Sequence, residues 1–350
     1  MKIIHCADIH LGASMNNLNE KTEQRKRELL DTFFNMIRFA KNEDVKVIII
    51  AGDLFDKASI KTSYKKEIFT FIKDHSDIKF LYLLGNHDAK IRIDENLTPS
   101  NLILFNNVNE WNYYNDEEVC VASIDIEKQP IEDFYPKLDL NKKSFNIVVL
   151  HGKENELQLT KLKNKSIDYI ALGDAHTHKI EKLDNRAIYA YSGCLEGKGY
   201  DEIGKKGFVM LDTNESPCKP TFHSIAKRQY VLVLIDITNL DAQYKIEDEM
   251  NKRLESINKE FIVRVELVGK MNKETQINLD NLREKLITKV YYGDIKDSTK
   301  PDTLNIDLGN EISLRSEFIK LVKASSLPEK DKAIIILYGW RALHKEEINK

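Results

Sequence analysis

The sequence lacks a long apolar run. No stretch of its 350 residues approaches the ~20 apolar residues that a membrane-spanning helix needs. The chain begins with a strand-like segment that carries His5 and Asp8, rather than with a basic region and an apolar leader. We therefore expect a cytoplasmic enzyme, whose length leaves room for two domains or for one large domain with an extension.

Cysteine is scarce, and the phosphate-binding loops of ATPases are missing. Four cysteines without Cys-x-x-Cys spacing are expected to be reduced thiols in or near the core: Cys6, Cys120, Cys194 and Cys218. The chain has no Gly-rich Walker loop, no repeat and no low-complexity segment. Any dependence on ATP must therefore come from a partner.

The chain also lacks an excess of positive charge. Its net charge of −3 is unusual for a protein that binds nucleic acid, because phosphate binding normally uses clustered Lys and Arg. A local positive rim has five candidates: Lys90, Arg92, Lys198, Lys205 and Lys206. The alternative is that these side chains are simply solvated.

What the chain does contain is five short polar runs, each following an apolar, strand-like stretch. The stretches are Lys2 to Cys6, Val45 to Ala51, Phe80 to Leu84, Phe145 to Leu150 and Tyr169 to Leu172. The runs are Asp8-Ile9-His10, Gly52-Asp53-Leu54-Phe55-Asp56, Gly85-Asn86-His87-Asp88, His151-Gly152 and Gly173-Asp174-Ala175-His176-Thr177-His178. One such residue alone is usually a turn former, but strand ends at one edge of a sheet converge on a single crevice. Together the five runs predict a two-metal site.

The residue types suit that chemistry. Carboxylate oxygens and imidazole nitrogens bind divalent ions, and two ions about 3.5–4 Å apart can activate water and neutralise a phosphate. Asp53 is the expected bridging ligand, because it directly follows a glycine at a tight turn. Asp8 and His10 lie two residues apart, should share one side of an extended strand end, and should hold one ion. The neutral amide of Asn86 is assigned with His151 to the second ion.

Asp56 has two open interpretations. It lies behind a metal ligand, or it caps the helix expected after Ser59. The histidines outside the motifs are expected to be ordinary core or surface residues: His5, His75, His223 and His344.

The pattern of elements predicts three regions. Residues 1–212 alternate strands with amphipathic helices, including one from Glu20 to Lys41, which indicates a layered α/β sandwich. A boundary is expected at Asp212 to Pro217. Residues 220–300 read as a compact α+β cap with strands at Tyr230 to Ile237 and Phe261 to Val268 and helices at Leu240 to Ile257 and Leu279 to Val290. Two helices follow in residues 301–350, at Ile312 to Ala324 and Pro328 to Lys345.

The five runs resemble the signature of calcineurin-like metallophosphoesterases, and their details are similar to SbcD-type nucleases of DNA double-strand-break repair. The resemblance continues through Tyr191-Ser192-Gly193-Cys194-Leu195-Glu196-Gly197 and Gly204-Lys205-Lys206-Gly207-Phe208. Tyr338-Gly339-Trp340-Arg341-Ala342-Leu343 resembles the ending of a clostridial or YhaO-like branch. The resemblance implies an α/β fold of α+β layered type, a β-sandwich flanked by helices, with a small α+β cap domain and C-terminal helices.

The resemblance also implies roles, residue by residue. Asp8, His10 and Asp53 match ligands of the first ion, and Asp53, Asn86 and His151 match ligands of the second. His87 matches a residue that assists the leaving oxygen or stabilises the pentavalent phosphorane, and it is not a metal ligand in this interpretation. Asp88 would orient the imidazole of His87.

The last run departs from the family pattern, which ends in Gly-His-x-His. An ungapped alignment makes Asp174 and His176 the ligands, whereas a two-residue shift makes them His176 and His178. We favour the first register, because the spacing to the later motifs then needs no insertion and Asp is a competent ligand.

The implied activity is two-metal hydrolysis of DNA phosphodiesters, as a 3′-to-5′ exonuclease and single-strand endonuclease. Mn²⁺ is the expected ion, because mixed His and carboxylate ligation suits it better than Mg²⁺. The expected partners are DNA, an SbcC-like coiled-coil ABC ATPase and a second copy of the chain. The ATPase would dock on the helices of 301–350 through Phe318, Ile319, Leu321 and Val322, unless these helices pack on their own domain.

Two alternatives remain open. The first is a small-molecule phosphatase or cyclic-nucleotide phosphodiesterase on the same scaffold, which would need a closed pocket instead of an open groove with basic rims. The second is a scaffold subunit with a decayed site, against which the near-complete ligand set argues.

Overall fold

The chain divides into two compact units, Met1–Tyr230 and Val231–Lys350. The computed structural model describes residues 1–56, 60–85, 87–88, 98–126, 130–271, 277–301 and 314–343. Several residues named above lie outside the described residues: Ser59, Asn86, Lys90, Arg92, Ile312, His344 and Lys345.

The first unit is built from twelve described strands and three described α-helices. The strands are β1 (Lys2–Cys6), β2 (Val45–Ala51), β3 (Lys79–Leu83), β4 (Leu102–Phe105), β5 (Trp111–Asn115), β6 (Val119–Ile124), β7 (Phe145–His151), β8 (Tyr169–Gly173), β9 (Lys179–Lys182), β10 (Ile188–Tyr191), β11 (Gly207–Asp212) and β12 (Thr221–Ser224). The helices are α1 (Thr22–Asn42), α2 (Thr62–Lys73) and α3 (Glu154–Leu157). Short 3₁₀ turns lie at Asn16–Lys21, Ile131–Asp133, Tyr135–Lys137 and Leu159–Leu162.

These strands form two six-stranded mixed sheets. One has the order β12-β11-β1-β2-β3-β4 and the other β5-β6-β7-β8-β10-β9. The main core combines apolar residues of both sheets, among them Ile3, Val47, Leu81, Val121, Val149 and Ala171. Strand β2 reads as a nearly continuous apolar run because a parallel strand in the middle of a sheet is covered on both faces. The expected layered sandwich flanked by helices is confirmed.

Most elements of this unit follow the sequence pattern closely. The five expected strands are confirmed to within a residue or two, and α1 buries Leu29, Phe33 and Ile37 at helical spacing. After Asp212 the chain returns as β12, which pairs antiparallel with β11. The first unit therefore continues past the turn at Asp212 to Pro217, because that turn connects two neighbouring strands of one sheet.

The second unit contains a small α+β layer and a helical hairpin. Its elements are β13 (Tyr230–Asp236), α4 (Gln243–Leu254), β14 (Ile262–Val268), β15 (Lys270–Met271), α5 (Leu279–Ile287), β16 (Tyr292–Asp297), β17 (Lys300–Pro301), α6 (Leu314–Ala324) and α7 (Glu329–Leu343). Strands β13, β14 and β16 form a sheet, and α4 and α5 cover one of its faces around Ile246, Val265 and Leu286.

Helices α6 and α7 pack on each other. Ile319, Val322 and Ile336 are buried between them. Leu314 and Leu321 of α6 are 75% and 71% exposed. The hairpin therefore has its own small core and leaves apolar side chains on its surface. The expected docking face is wrong in part, because Ile319 and Val322 are buried in this core and Phe318 packs against it, so that of the four expected residues Leu321 alone is exposed.

The four cysteines are confirmed as buried free thiols. Within the described ranges, no helix is both long and apolar enough to cross a bilayer.

His5 is a fully buried histidine between the two sheets. It has no solvent exposure, and its Nδ1 atom lies 2.8 Å from the hydroxyl oxygen of Tyr169 on the opposite sheet. Burial disfavours the imidazolium and lowers the pKa of His5 to about 3. The unfolded chain takes up a proton near pH 6.5, whereas the native state does so only near pH 3. Falling pH in this window therefore favours unfolding.

We expect His5→Gln to remove this acid sensitivity. Between about pH 6 and pH 4, wild-type protein should lose stability relative to the variant by about 1.4 kcal/mol per pH unit, because only wild type carries the suppressed proton site. Urea unfolding at a series of pH values measures the difference. Tyr169→Phe is the matched control, since it removes the hydrogen bond but keeps the buried imidazole and the pH dependence. A wild-type-minus-variant difference that is flat with pH would contradict the assignment.

Candidate metal centre

The carboxyl ends of β1, β2, β3, β7 and β8 meet at one edge of the sandwich. The backbone N–H of Asp8 donates to the carbonyl of Gly52 at 3.1 Å, and that of His10 donates to the carbonyl of Asp53 at 2.9 Å. Across the sandwich, Nδ1 of His151 lies 2.8 Å from the carbonyl oxygen of Ala51. The two sheets therefore bring their polar strand ends into one cleft.

Several residues of this cleft have left-handed backbone conformations. Asp8 and His10 both have φ 51°, Asp53 has φ 53° and Asp174 has φ 89°. Non-glycine residues rarely adopt such angles, and they concentrate where surrounding structure holds a functional side chain in place. The expected extended strand end at Asp8 and His10 is therefore wrong. Their side chains still join one group because the backbone turns there.

Three overlapping groups of donor atoms form in the cleft. They are Asp8 with His10 and His176, His10 with Asp53 and His87, and Asp8 with Asp53 and His151, with donor atoms within 4.8 Å of one another in each group. Oδ2 of Asp53 lies 3.9 Å from Nε2 of His10 and 3.5 Å from Nε2 of His151. Asp53 thus lies between the histidines of the two sheets, where a bridging carboxylate would be needed.

The electrostatics of the cleft favour a bound cation. Burial raises the pKa of Asp8 to about 6. Burial would also raise the pKa of Asp53, but His151 outweighs it and the pKa of Asp53 is lowered. Burial would lower the pKa of His151, yet Asp53 raises it to about 9. In the metal-free protein a proton on His151 thus offsets part of the negative charge.

The donor set fits divalent ions. Nε2 of His151 is buried and faces carboxylate oxygens of Asp53 and Asp174 at 3.5 and 4.0 Å, and among the described residues none lies closer as a hydrogen-bond partner. Imidazole nitrogen with carboxylate oxygen is the ligand type that Mn²⁺ and Zn²⁺ accept.

The last run places two of its members in the cleft. Nε2 of His176 lies 3.2 Å from Nε2 of His10, and the backbone N–H of Asp174 donates to Asp8 at 3.0 Å. His178 lies elsewhere, because its Nδ1 lies 3.0 Å from the carbonyl oxygen of Tyr191 and its ring stacks on Phe222. This arrangement favours the ungapped register.

His87 is an exposed residue at the mouth of the cleft. Its backbone N–H donates to Oδ1 of Asp53 at 2.9 Å, and its Nδ1 lies 2.9 Å from the carbonyl oxygen of Asp56. A carbonyl can only accept, so this contact requires a proton on Nδ1 and leaves Nε2 available to solvent or substrate. The carboxylate of Asp56 lies 3.7 Å from Nδ1 of His10, which places Asp56 behind a candidate ligand. Helix α2 begins later, at Thr62, after Lys61 as its N-cap residue.

Asp88 does not orient the ring of His87. Its buried carboxylate accepts backbone N–H groups of Leu54 and Phe55 at 3.0 Å and of Gly85 at 3.3 Å. Asp88 thus joins the turn that carries Asp53 to the loop that carries His87. The expected contact with the ring of His87 is wrong, because the short side chain of Asp88 is buried beneath the loop and hydrogen-bonds to backbone N–H groups there.

The basic rim is only partly present. Lys206 is buried, and its ammonium donates to the carbonyl oxygen of His176 at 2.7 Å. Nζ of Lys198 lies 3.5 Å from Oε1 of Glu202. Of these three lysines, Lys205 alone is exposed. Lys198 and Lys206 therefore stabilise the site through contacts with its own residues.

Sequence reasoning missed Glu202. Its carboxylate lies 2.5 Å from Nδ1 of His176. Burial would raise the pKa of Glu202, but the hydrogen bond with His176 and the charge of Lys198 lower it to about 2. Its position a few residues beyond the Tyr191 to Gly197 segment was the only available signal.

A buried ion network behind the cleft was also missed. Arg25 of α1 binds Glu28 at 2.7 Å and Glu196 at 2.8 Å, and Arg228 binds Glu28 at 2.7 Å. All four side chains are buried. The network ties α1 to the loop after β10, and removing one member would leave a buried charge at a cost of about 3–5 kcal/mol.

Comparison with known proteins gives consistent results. A family model described as calcineurin-like phosphoesterase matches residues 1–202. The chain is 26% identical over 297 residues to the DNA double-strand break repair protein Mre11 of Sulfolobus acidocaldarius, covering 77% of this chain and 75% of that protein. It is 25% identical over 381 residues to the Mre11 protein of Saccharolobus solfataricus, with 99% and 96% covered. It is 22% identical over 298 residues to the uncharacterized metallophosphoesterase YhaO of Bacillus subtilis, with 77% and 72% covered.

We expect the members of the last run to differ in their effect on metal content. After loading with Mn²⁺ and gel filtration, His176→Ala and Asp174→Ala should each retain less metal than wild type, since each loses a donor in the cleft. His178→Ala is the matched control and should retain wild-type metal content, because its ring packs on Phe222 outside the cleft. Elemental analysis measures all three. Metal loss in His178→Ala with normal content in Asp174→Ala would instead support the shifted register.

Proposed function

The chain belongs to the calcineurin-like phosphoesterase family and is a metal-dependent phosphoester hydrolase, and we propose that its substrate is DNA. The proposed reaction is hydrolysis of phosphodiester bonds in DNA repair, as a 3′-to-5′ exonuclease and single-strand endonuclease. The observation that carries it is the pair of donor groups that share Asp53 between His10 and His151. Relatives named as DNA double-strand break repair proteins, one matched over 96% of its length, support DNA as the substrate.

We assign each side chain a task in this site. Asp8, His10 and His176 would hold one ion, Asp53 would bridge, and His151, Asp174 and Asn86 would hold the other. Two divalent ions, of which Mn²⁺ suits this ligation best, supply charge neutralisation and water activation when bound. The protein contributes a preorganised cleft, in which Asp88 fixes the turn that carries Asp53.

His87 is proposed to act on the leaving oxygen. Its Nδ1 proton is held by the carbonyl of Asp56, so a protonated ring carries its second N–H at Nε2. An exposed imidazole at this place can give that proton to the departing oxygen.

We also propose roles for the regions after the catalytic domain. The part of the expected 220–300 cap that lies in the second unit, from residue 231 onward, would contact DNA. The α6–α7 hairpin would dock an SbcC-like coiled-coil ATPase, which is supported by the exposed apolar side chains Leu314, Leu321 and Tyr338. We also propose that two copies of the chain form a homodimer.

The substrate is tested by comparing two classes of phosphodiester. Purified protein with Mn²⁺ should shorten 3′-ended DNA labelled at its 5′ end and cut single-stranded circles. Hydrolysis of small phosphodiesters such as bis-p-nitrophenyl phosphate should be much slower. Rapid turnover of the small esters without action on DNA would favour the small-molecule phosphodiesterase.

Asp53→Ala should abolish DNA hydrolysis and lower the Mn²⁺ content, because the bridging carboxylate is lost. Its fold should persist, since the surrounding sandwich does not depend on that carboxylate. Asp77→Ala, at an exposed aspartate, is the matched control. Near-wild-type activity of Asp53→Ala at saturating Mn²⁺ would refute a two-metal mechanism.

His87→Ala should retain full metal content while turnover falls by about 10²–10⁴-fold, as for a lost general acid. His75→Ala, at a histidine outside the cleft, is the control. Because His87 also falls in a donor group with His10 and Asp53, metal analysis is essential. Loss of one ion in His87→Ala would make His87 a ligand.

A further inference from the structure

Buried charged groups contact both the ring and the backbone carbonyl of His176. Oε1 of Glu202 lies 2.5 Å from Nδ1 of its ring, and the ammonium of Lys206 donates to its carbonyl oxygen at 2.7 Å. Glu202 is 5% exposed and Lys206 is 2% exposed. Among the residues that the structure describes, no comparable pair of buried charges holds His178, whose ring rests against a carbonyl and an aromatic face.

The contact with Glu202 determines where the proton of His176 resides. A carboxylate only accepts, so Nδ1 must carry the hydrogen and donate it. In the neutral ring, Nε2 then has a free lone pair. That atom is the one that faces Nε2 of His10 at 3.2 Å inside the donor group of Asp8, His10 and His176.

We propose that Glu202 is a positioning residue, which fixes the tautomer and ring orientation of His176 so that Nε2 binds the first metal ion. The inference rests on the proposed function in one respect only, namely that the cleft binds divalent ions. Carboxylates that receive the second ring N–H of a metal-bound histidine raise its basicity and hold its ring plane.

Glu202 is itself held in place before any ion binds. Its other oxygen accepts the backbone N–H of Lys198 at 2.7 Å, and its own N–H donates to the carbonyl of Gly199. The loop is anchored where Gly204 donates to the carbonyl of Tyr230, whose hydroxyl donates to the carbonyl of Lys198 at 3.2 Å. The carboxylate therefore has little freedom to leave His176.

A purely structural role would look different. If Glu202 only paired with Lys198 to stabilise the loop, its replacement would lower stability without altering the protonation of His176. The tautomer of His176 therefore separates the two roles, and it can be read without metal and without catalysis.

The test uses the full chain labelled with ¹⁵N-histidine, with the His176 signals assigned through His176→Gln. In metal-free wild type, Nδ1 of His176 should be protonated and Nε2 unprotonated. Glu202→Gln should give mixed tautomers and weaken Mn²⁺ binding at one of the two sites by about 10–100-fold. Glu181→Gln, at an exposed glutamate that pairs with Lys179, is the control and should match wild type.

A neutral wild-type His176 ring that carries its proton on Nε2 and none on Nδ1 would overturn the proposal, and this result needs no variant, so it holds even if Glu202→Gln does not fold. A folded Glu202→Gln with wild-type tautomer and affinity would overturn it as well. If tautomer and affinity respond as expected but wild type cuts no DNA, the proposed substrate fails and the role of Glu202 stands.

Discussion

Carboxylates crowded into a poorly solvated cleft repel one another, and much of this structure is arranged around that repulsion. Asp8, Asp53 and Asp174 converge from the ends of three strands, with imidazoles between them. Without a cation, a proton on His151 offsets part of this charge. The cleft is thus prepared for divalent ions, because ions of higher charge can replace the proton and satisfy the same donors.

Supporting residues hold this cleft from behind. Asp88 fastens the turn of Asp53 to the loop of His87, and Glu202 with Lys206 fixes His176. The ion network around Arg25 then anchors the loop after β10 to α1. The left-handed backbone at the candidate ligand positions can persist because these surrounding contacts hold it in place.

The second unit is the region of the chain for which we propose a binding role. Its small sheet and the α6–α7 hairpin each have a separate core, and the hairpin surface carries exposed apolar side chains. Relatives named for DNA repair match nearly the whole chain, including this unit. A role in substrate or partner binding therefore belongs to the same proposal as the nuclease activity.

Apolar periodicity and strand-end polarity are local signals, and they were enough to predict the strands, the long helix and the runs that carry the donors. The sequence also made Asp53 the expected bridge and placed His176 at the site in either register. The hydrogen-bond and ion-pair partners of these residues could be found in the folded chain alone. Glu202 lies 26 residues from His176, and Arg25 lies 171 residues from Glu196. A hydrogen bond between such distant residues depends on how the loops fold over the sheet edge, which no local pattern encodes. The same reason explains why Asp88 serves the backbone instead of His87 and why Lys206 is buried instead of facing a substrate.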